Sequence, residues 1–238
     1  MLDVHPPHTS VHTWKDFFIH IATIVIGLLI AVGLEQTVEA LHHRQERAEL
    51  RETMRRESEQ IVKDATGTDR AYTYRLAWLA HRADQVKATV WQHKPLEPPV
   101  VYAEPTYAYP DDPLWRSAKI NGLAERLTTN EVNAYSEVEF ISGKIDGFYT
   151  DFKAAQAKRL EFEKQFPTQP GGAPDYTLAS PQDMRTYLTL LLAEHGAAAL
   201  FLDWDRDLLG AEDAILEGNL QLPLIFASEM KFSAAPHP

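Results

Sequence analysis

The stretch FFIHIATIVIGLLIAVGL, Phe17 to Leu34, followed at once by Glu35, decides how this chain is read. Three readings compete for it: a membrane span, a cleaved signal and the core helix of a soluble domain. A helix rises about 1.5 Å per residue, so the run covers roughly 27 Å, against a bilayer hydrocarbon core of about 30 Å. Only His20 and Thr23 interrupt it with polar groups. A hydroxyl can bond back to its own helix, and a neutral imidazole near one end is tolerable. Trp14 and Lys15 stand just before the run, where an amphipathic ring and a snorkelling cation anchor a span at the interface. Thr13-Trp14-Lys15-Asp16 has the S/T-x-x-D/E form of a helix start.

A secretory signal needs a basic leader, a shorter apolar stretch and small residues at the cut. Here the leader holds Lys15 against Asp3 and Asp16, and the best cut, Val38-Glu39-Ala40, falls inside a continuing helical pattern. The expected reading is therefore a retained transmembrane helix over 17–34, after an N-terminal tail over 1–16. Thr23, Gly27 and Ala31 recur every four residues, a small-xxx-small ridge on which a second helix could approach closely in a bilayer. Self-association through that ridge competes with the plainer fact that Gly and Ala are common in spans. Arg44, Arg47, Arg51 and Arg55 follow the run, with Lys15 alone before it, which favours a cytoplasmic body. Glu46, Glu49 and Glu52 interleave with those arginines, so a periplasmic body stays open.

Composition narrows the function classes. A formal charge of -11, from 34 acids against 23 Lys and Arg, opposes a nucleic-acid partner, which requires a basic stripe. The chain has no Cys, and so no disulfide, thiol nucleophile or Cys-containing zinc site.

Beyond the run, helix formers continue without Pro or Gly to Ala65. Glu52 with Arg56 and Glu59 with Lys63 stand at i,i+4 spacing. Ala65-Thr66-Gly67-Thr68-Asp69 reads as a break, and Tyr72, Leu76, Leu79, Ala83, Val86 and Val90 as the seam of a second helix. The stretch 35–94 is thus expected to fold as a long helix and its antiparallel hairpin partner. Pro95 to Pro113 carries six prolines and reads as a loop over 95–113. Its Tyr102, Tyr107 and Tyr109 either face a partner or lie flat on the bundle, the second being preferred.

A helical body is expected over 114–218, with a tail over 219–238. A third helix, Leu114 to Leu127, would start at Asp112-Pro113 and turn Trp115, Ala118, Leu123 and Leu127 inward. Thr128-x-x-Glu131 is a capping box opening a fourth. Its apolar seam runs through Ile141, Ile145, Phe148, Phe152, Ala155, Phe162 and Phe166, interrupted by Arg159. Ser180-Pro181-Gln182-Asp183 opens a fifth, with Met184, Leu188, Leu191, Ala198 and Leu202 as its buried edge. The fold class predicted is all-α: a transmembrane helix continuing into an antiparallel bundle of about five helices.

Chemistry finds little purchase. His5, His8, His12 and His20 lie before or early in the apolar run and His42-His43 beyond it, without metalloprotease spacing. Asp203, Asp205, Asp207, Glu212, Asp213 and Glu217 read as a solvated helical face, and His195 as a hydrogen-bonded core residue. Phosphate loops, serine elbows and paired-acid motifs are missing, so neither catalytic, cofactor nor metal residues are assigned and an enzyme is not supported.

IATIVIGLLIAVGLEQTVEALHHR, Ile21 to Arg44, and LWRSAKINGLAERLTTNEVNAY, Leu114 to Tyr135, resemble a group of uncharacterised bacterial single-pass membrane proteins. These join an N-terminal span to a charged helix and a helical domain of unknown function, and Ile26 to Ala31 is the best match. The resemblance implies a bacterial inner-membrane protein and no known activity. The functional expectation is a membrane-anchored helical scaffold or interaction module, with lipid and a second copy or another membrane protein as partners. The alternative is a tethered ligand-sensing domain with the Pro95–Pro113 loop as lid.

Overall fold

Between Trp14 and Gln92 the sequence contains no Pro, and in the computed structural model all of it forms one α-helix, α1 (Trp14–Gln92). The structure describes residues 14–98, 107, 113–169 and 172–221. Three further α-helices follow: α2 (Pro113–Ile120), α3 (Thr129–Glu163) and α4 (Pro181–Leu216). A 3₁₀ turn, Leu123–Arg126, separates α2 from α3, and no β-strand occurs among the described residues. The chain divides into two units at Leu50, residues 1–50 and 51–238.

The expected break at Ala65–Asp69 does not occur, so four α-helices stand where about five were expected, and the hairpin within 35–94 is absent. One helical glycine costs only about 1 kcal/mol relative to alanine. Gly67 faces open space, while its neighbours Ala65 and Thr68 are buried. The Thr66 hydroxyl donates to the Val62 carbonyl at 2.7 Å, inside the helix. Burial on either side of the glycine outweighs its local cost. The helix ends instead at His93, whose φ of 56° places it in the left-handed region, with Pro95 just beyond.

The expected third helix is also shorter. It stops at Ile120 because Gly122 adopts φ 70°, and the chain tightens into the 3₁₀ turn before Leu127. Trp115, Ala118 and Leu127 are buried as expected.

Both predicted capping boxes close. The Thr128 hydroxyl accepts from the Glu131 N–H and the Glu131 carboxylate accepts from the Thr128 N–H; Ser180 and Asp183 do the same at α4. At the far end of α4, Gly218 takes φ 80° and the Asn219 N–H reaches the Ala214 carbonyl at 2.8 Å, a Schellman closure. The turn between α3 and α4 is a small closed loop, with Thr168 bridged to Pro174 and the Asp175 N–H donating to the Pro167 carbonyl at 2.6 Å.

Within residues 51–238, α3 and α4 form a hairpin with close backbone approach. The 51–92 part of α1 meets that hairpin through long side chains. Tyr72 stands edge-on to Phe201, with ring centroids 4.8 Å apart, and to Phe152 at 5.5 Å. Leu79, Val86, Ile141, Ile145, Leu191, Ala198, Leu202 and Leu208 fill the core around them. Fully burying a side chain of Leu or Phe size stabilises by roughly 1.5–3 kcal/mol, so this layer dominates the gross stabilisation.

Candidate functional site

Three features carry functional interest: the surface of α1 in residues 14–50, an ion network buried in the body, and a cleft between two loops.

The first is defined by what it leaves uncovered. Phe17, Phe18, Ile19, Ile24, Leu28, Leu29, Ile30 and Leu34 all stand exposed. An 18-residue window of α1 reaches a mean hydropathy of 2.6 with none of it buried, long and apolar enough by length and composition to cross a membrane. Thr23 donates to the Ile19 carbonyl at 2.9 Å, so its hydroxyl is satisfied inside the helix. A Cβ added at Gly27 would meet nothing within 4 Å. Thr23, Gly27 and Ala31 are exposed on the same helix, as are Trp14 and Lys15 at its start. Thr13, the expected cap, lies outside the described residues. After the apolar run, His42 pairs with Glu46 at 3.1 Å and His43 with Glu39 at 3.5 Å.

The second feature appears where the sequence suggested solvent or an interruption. Arg75 from α1 and Arg159 from α3 donate to the two carboxylate oxygens of Glu194 on α4, and all three are buried. Arg159 also donates to Glu163 Oε1 at 2.7 Å, and the Tyr187 hydroxyl donates to that same oxygen at 2.8 Å. The Trp78 ring lies 4.7 Å from the Arg75 guanidinium and 5.5 Å from that of Arg159. Burial works against the charge of Arg159, but Glu194 and Glu163 outweigh it and raise its pKa. The network joins α1, α3 and α4.

Three expectations are corrected by these positions. Arg159 does not interrupt the α3 seam; it belongs to it. On α4, Glu194 is buried while the adjacent His195, expected in the core, is only half-buried. Asp205 and Glu212, expected on a solvated face, are both buried. Burial, reinforced by the nearby Asp69 charge, pushes the Asp205 carboxyl up to about 7. A signal for the network was present: Arg75 and Arg82 stand seven residues apart beside Tyr72, Leu79 and Val86, and Glu194 lies between Leu191 and Ala198. Charged residues of opposite sign at seam positions of different helices mark a buried pair.

At the other end of the body, Arg51 makes a two-pronged contact with Glu131, Nε to Oε1 at 2.5 Å and Nη2 to Oε2 at 3.0 Å. That hydrogen bonding, with the Thr128 N–H, holds the Glu131 carboxyl down at about 2. The residue that caps α3 therefore also ties it to α1.

The third feature is a cleft of about 360 Å³ between residues 95–98 and the loop after α3. Leu96, Glu97, Asp175, Tyr176, Thr89 and Met184 are among its walls. Arg82, buried behind them, donates from Nη1 to the Glu97 carbonyl at 2.6 Å, and Gln85 donates to Glu97 Oε2 at 3.0 Å.

Of the three loop tyrosines, Tyr107 lies on the bundle, its ring 4.4 Å from Tyr149 and 5.0 Å from Phe201. Tyr102 and Tyr109 lie outside the described residues, as do His5, His8 and His12. Among the described residues no group of three or more His, Asp and Glu side chains is arranged to hold a metal ion. Comparison of the chain with protein-family models, with curated proteins and with solved structures finds no match to any of them.

Proposed function

We propose that this protein is a membrane-anchored helical scaffold or protein-interaction module, with the 17–34 segment as a bilayer tether and the α1–α3–α4 body as the working part. The observation that carries the reading is the uncovered 18-residue window of mean hydropathy 2.6. A helix apolar on every side needs a non-aqueous surrounding, and hydrocarbon supplies one of matching thickness. The body supports the scaffold reading through the cross-helix Arg75–Glu194–Arg159 network, which joins α1, α3 and α4 and specifies their register. Thr23, Gly27 and Ala31 are the residues on which a second copy or another span would settle. The four arginines after the run orient the body toward the cytoplasm of a bacterial inner membrane.

Alkaline carbonate extraction of membranes from expressing cells tests the tether: the full chain is expected to stay with the lipid. Release into the supernatant would end the anchor reading. Protease protection in right-side-out spheroplasts then tests orientation, with cleavage sought in 167–175. Protection until the membrane is broken is the expected result, and immediate cutting would place the body in the periplasm.

A second reading, a tethered ligand-sensing domain, is favoured by the cleft beside residues 95–98, whose Glu97 is held in place by the buried Arg82.

A further inference from the structure

The cleft has a chemical character that narrows what would enter it. Among the described residues, its formally charged lining side chains are both acids, Glu97 and Asp175. Each accepts a hydrogen bond at its carboxylate. Asp175 Oδ1 accepts from the Thr177 N–H at 3.0 Å, and that bond helps keep the carboxyl below the usual range and so ionised. Glu97 accepts from Arg82 at its backbone oxygen and from Gln85 at Oε2, which leaves Oε1 without a hydrogen bond among the described residues. The remaining wall is mostly apolar or aromatic: the prolines Pro95, Pro98 and Pro174 with Leu96, Met184 and the Tyr176 ring. Two hydrogen-bonded carboxylates over an apolar and aromatic wall complement a cation on a hydrocarbon stem. The chain's net charge of -11 draws cations toward it.

We propose that this cleft binds a small organic cation, an ammonium or guanidinium group on a short apolar chain, held between Glu97 and Asp175 with its stem along Tyr176, Leu96 and Met184. Arg82 acts as a positioning residue. It is buried, its guanidinium lies 5.6 Å from the Tyr176 ring and 5.8 Å from the Tyr187 ring, and it holds Glu97 both directly at the backbone carbonyl and through Gln85, whose Oε1 accepts from Arg82 Nη1 at 3.0 Å. A cavity of this volume suits a small molecule rather than an extended peptide. This proposal rests on the ligand-sensing reading and is independent of the membrane tether.

The test uses the full chain in a non-ionic detergent, with 1-aminobutane, 1,4-diaminobutane and agmatine as probes, read by calorimetric titration and thermal unfolding. Binding of at least one amine, with a raised Tm, is expected; 1-butanol and sodium chloride of equal ionic strength are expected to do neither. Glu97→Gln and Asp175→Asn should each weaken the amine by about tenfold, as loss of a charge-assisted hydrogen bond does. Their Tm without ligand should fall far less than that of Glu194→Ala, since both side chains lie at the cleft rather than in the core. The proposal is overturned if no probe binds, if sodium chloride reproduces the effect, or if both variants bind as the parent does. It is also overturned if the amines fail and a lysine-rich peptide binds through the same two acids, for the cleft would then be a protein-docking site. Carbonate extraction is unaffected by any of these outcomes, so failure here is distinguishable from failure of the tether.

Discussion

The two parts of α1 are one helix under two regimes. In residues 14–50 the apolar side chains point every way and none is buried; in residues 51–92 they occupy one stripe, together with Arg75 and Arg82. The first part draws no stability from the described protein around it, whereas the second is held by Tyr72, Leu79 and Val86 in the core and by the bond to Glu194. Continuity of a helix therefore says little about what stabilises it. Hydropathy without burial calls for an outside partner, and burial of charge calls for an inside one.

The strongest way to break this contrast acts on the second part. Replacing Glu194 by Ala leaves Arg75 and Arg159 buried without their shared carboxylate, and a loss of roughly 3–5 kcal/mol is expected in denaturant unfolding. A quadruple replacement of Arg75, Arg159, Glu194 and Glu163 by Met, Met, Leu and Gln should recover most of that loss, because the desolvation cost of the ions goes with them and no carboxylate is left stranded. A Glu194→Ala protein as stable as the parent would show that the network contributes nothing.

Next comes a charge placed in the first part. Ile26→Arg near the middle of the apolar run should cost about 2.5–3.5 kcal/mol of insertion and shift the chain toward the carbonate supernatant. Thermal unfolding of the body should stay where it was. Equal retention of parent and variant in the membrane would count against a span.

Acidity sharpens the comparison from within the core. The Asp205 carboxyl is raised from 3.8 to about 7 by burial and by Asp69. The folded state thus holds a proton that the unfolded chain releases, so this contribution is fully present below about 3.8 and is lost as pH rises toward 7. Arg206, the cation beside it, is engaged with Asp69 Oδ1 at 2.5 Å and Thr73 at 3.1 Å. Asp205→Asn should raise Tm at pH 8 and flatten the decline in Tm between pH 5 and 8. An unchanged profile would sink this account.

The smallest effect is expected at Gly67. An added Cβ meets nothing there, so Gly67→Ala should stabilise by about 0.5–1 kcal/mol through helix propensity alone. Destabilisation would mean that the glycine serves a purpose beyond continuity.

The helices, their caps and the apolar run were legible because each depends on residues near one another in sequence. Thr128 with Glu131 and Ser180 with Asp183 are three apart, and the seam of Met184, Leu188, Leu191, Ala198 and Leu202 repeats at helical spacing. The misreadings share one cause. Whether Gly67 ends a helix depends on what Ala65 and Thr68 are buried against. Whether Arg159 interrupts a seam depends on a glutamate 35 residues away. Whether Asp205 is solvated depends on helices whose approach no local pattern reports.

For this chain, then, local sequence determined an all-helical body, its caps and a segment that water does not suit, since propensity, capping and hydropathy all act over a few residues. Tertiary structure alone decided that α1 runs unbroken, that Arg75, Arg159 and Glu194 share one buried site, and that Glu97 and Asp175 face one cleft. Buried charge survives only where a partner arrives from another helix, and a cleft exists only where two distant loops meet.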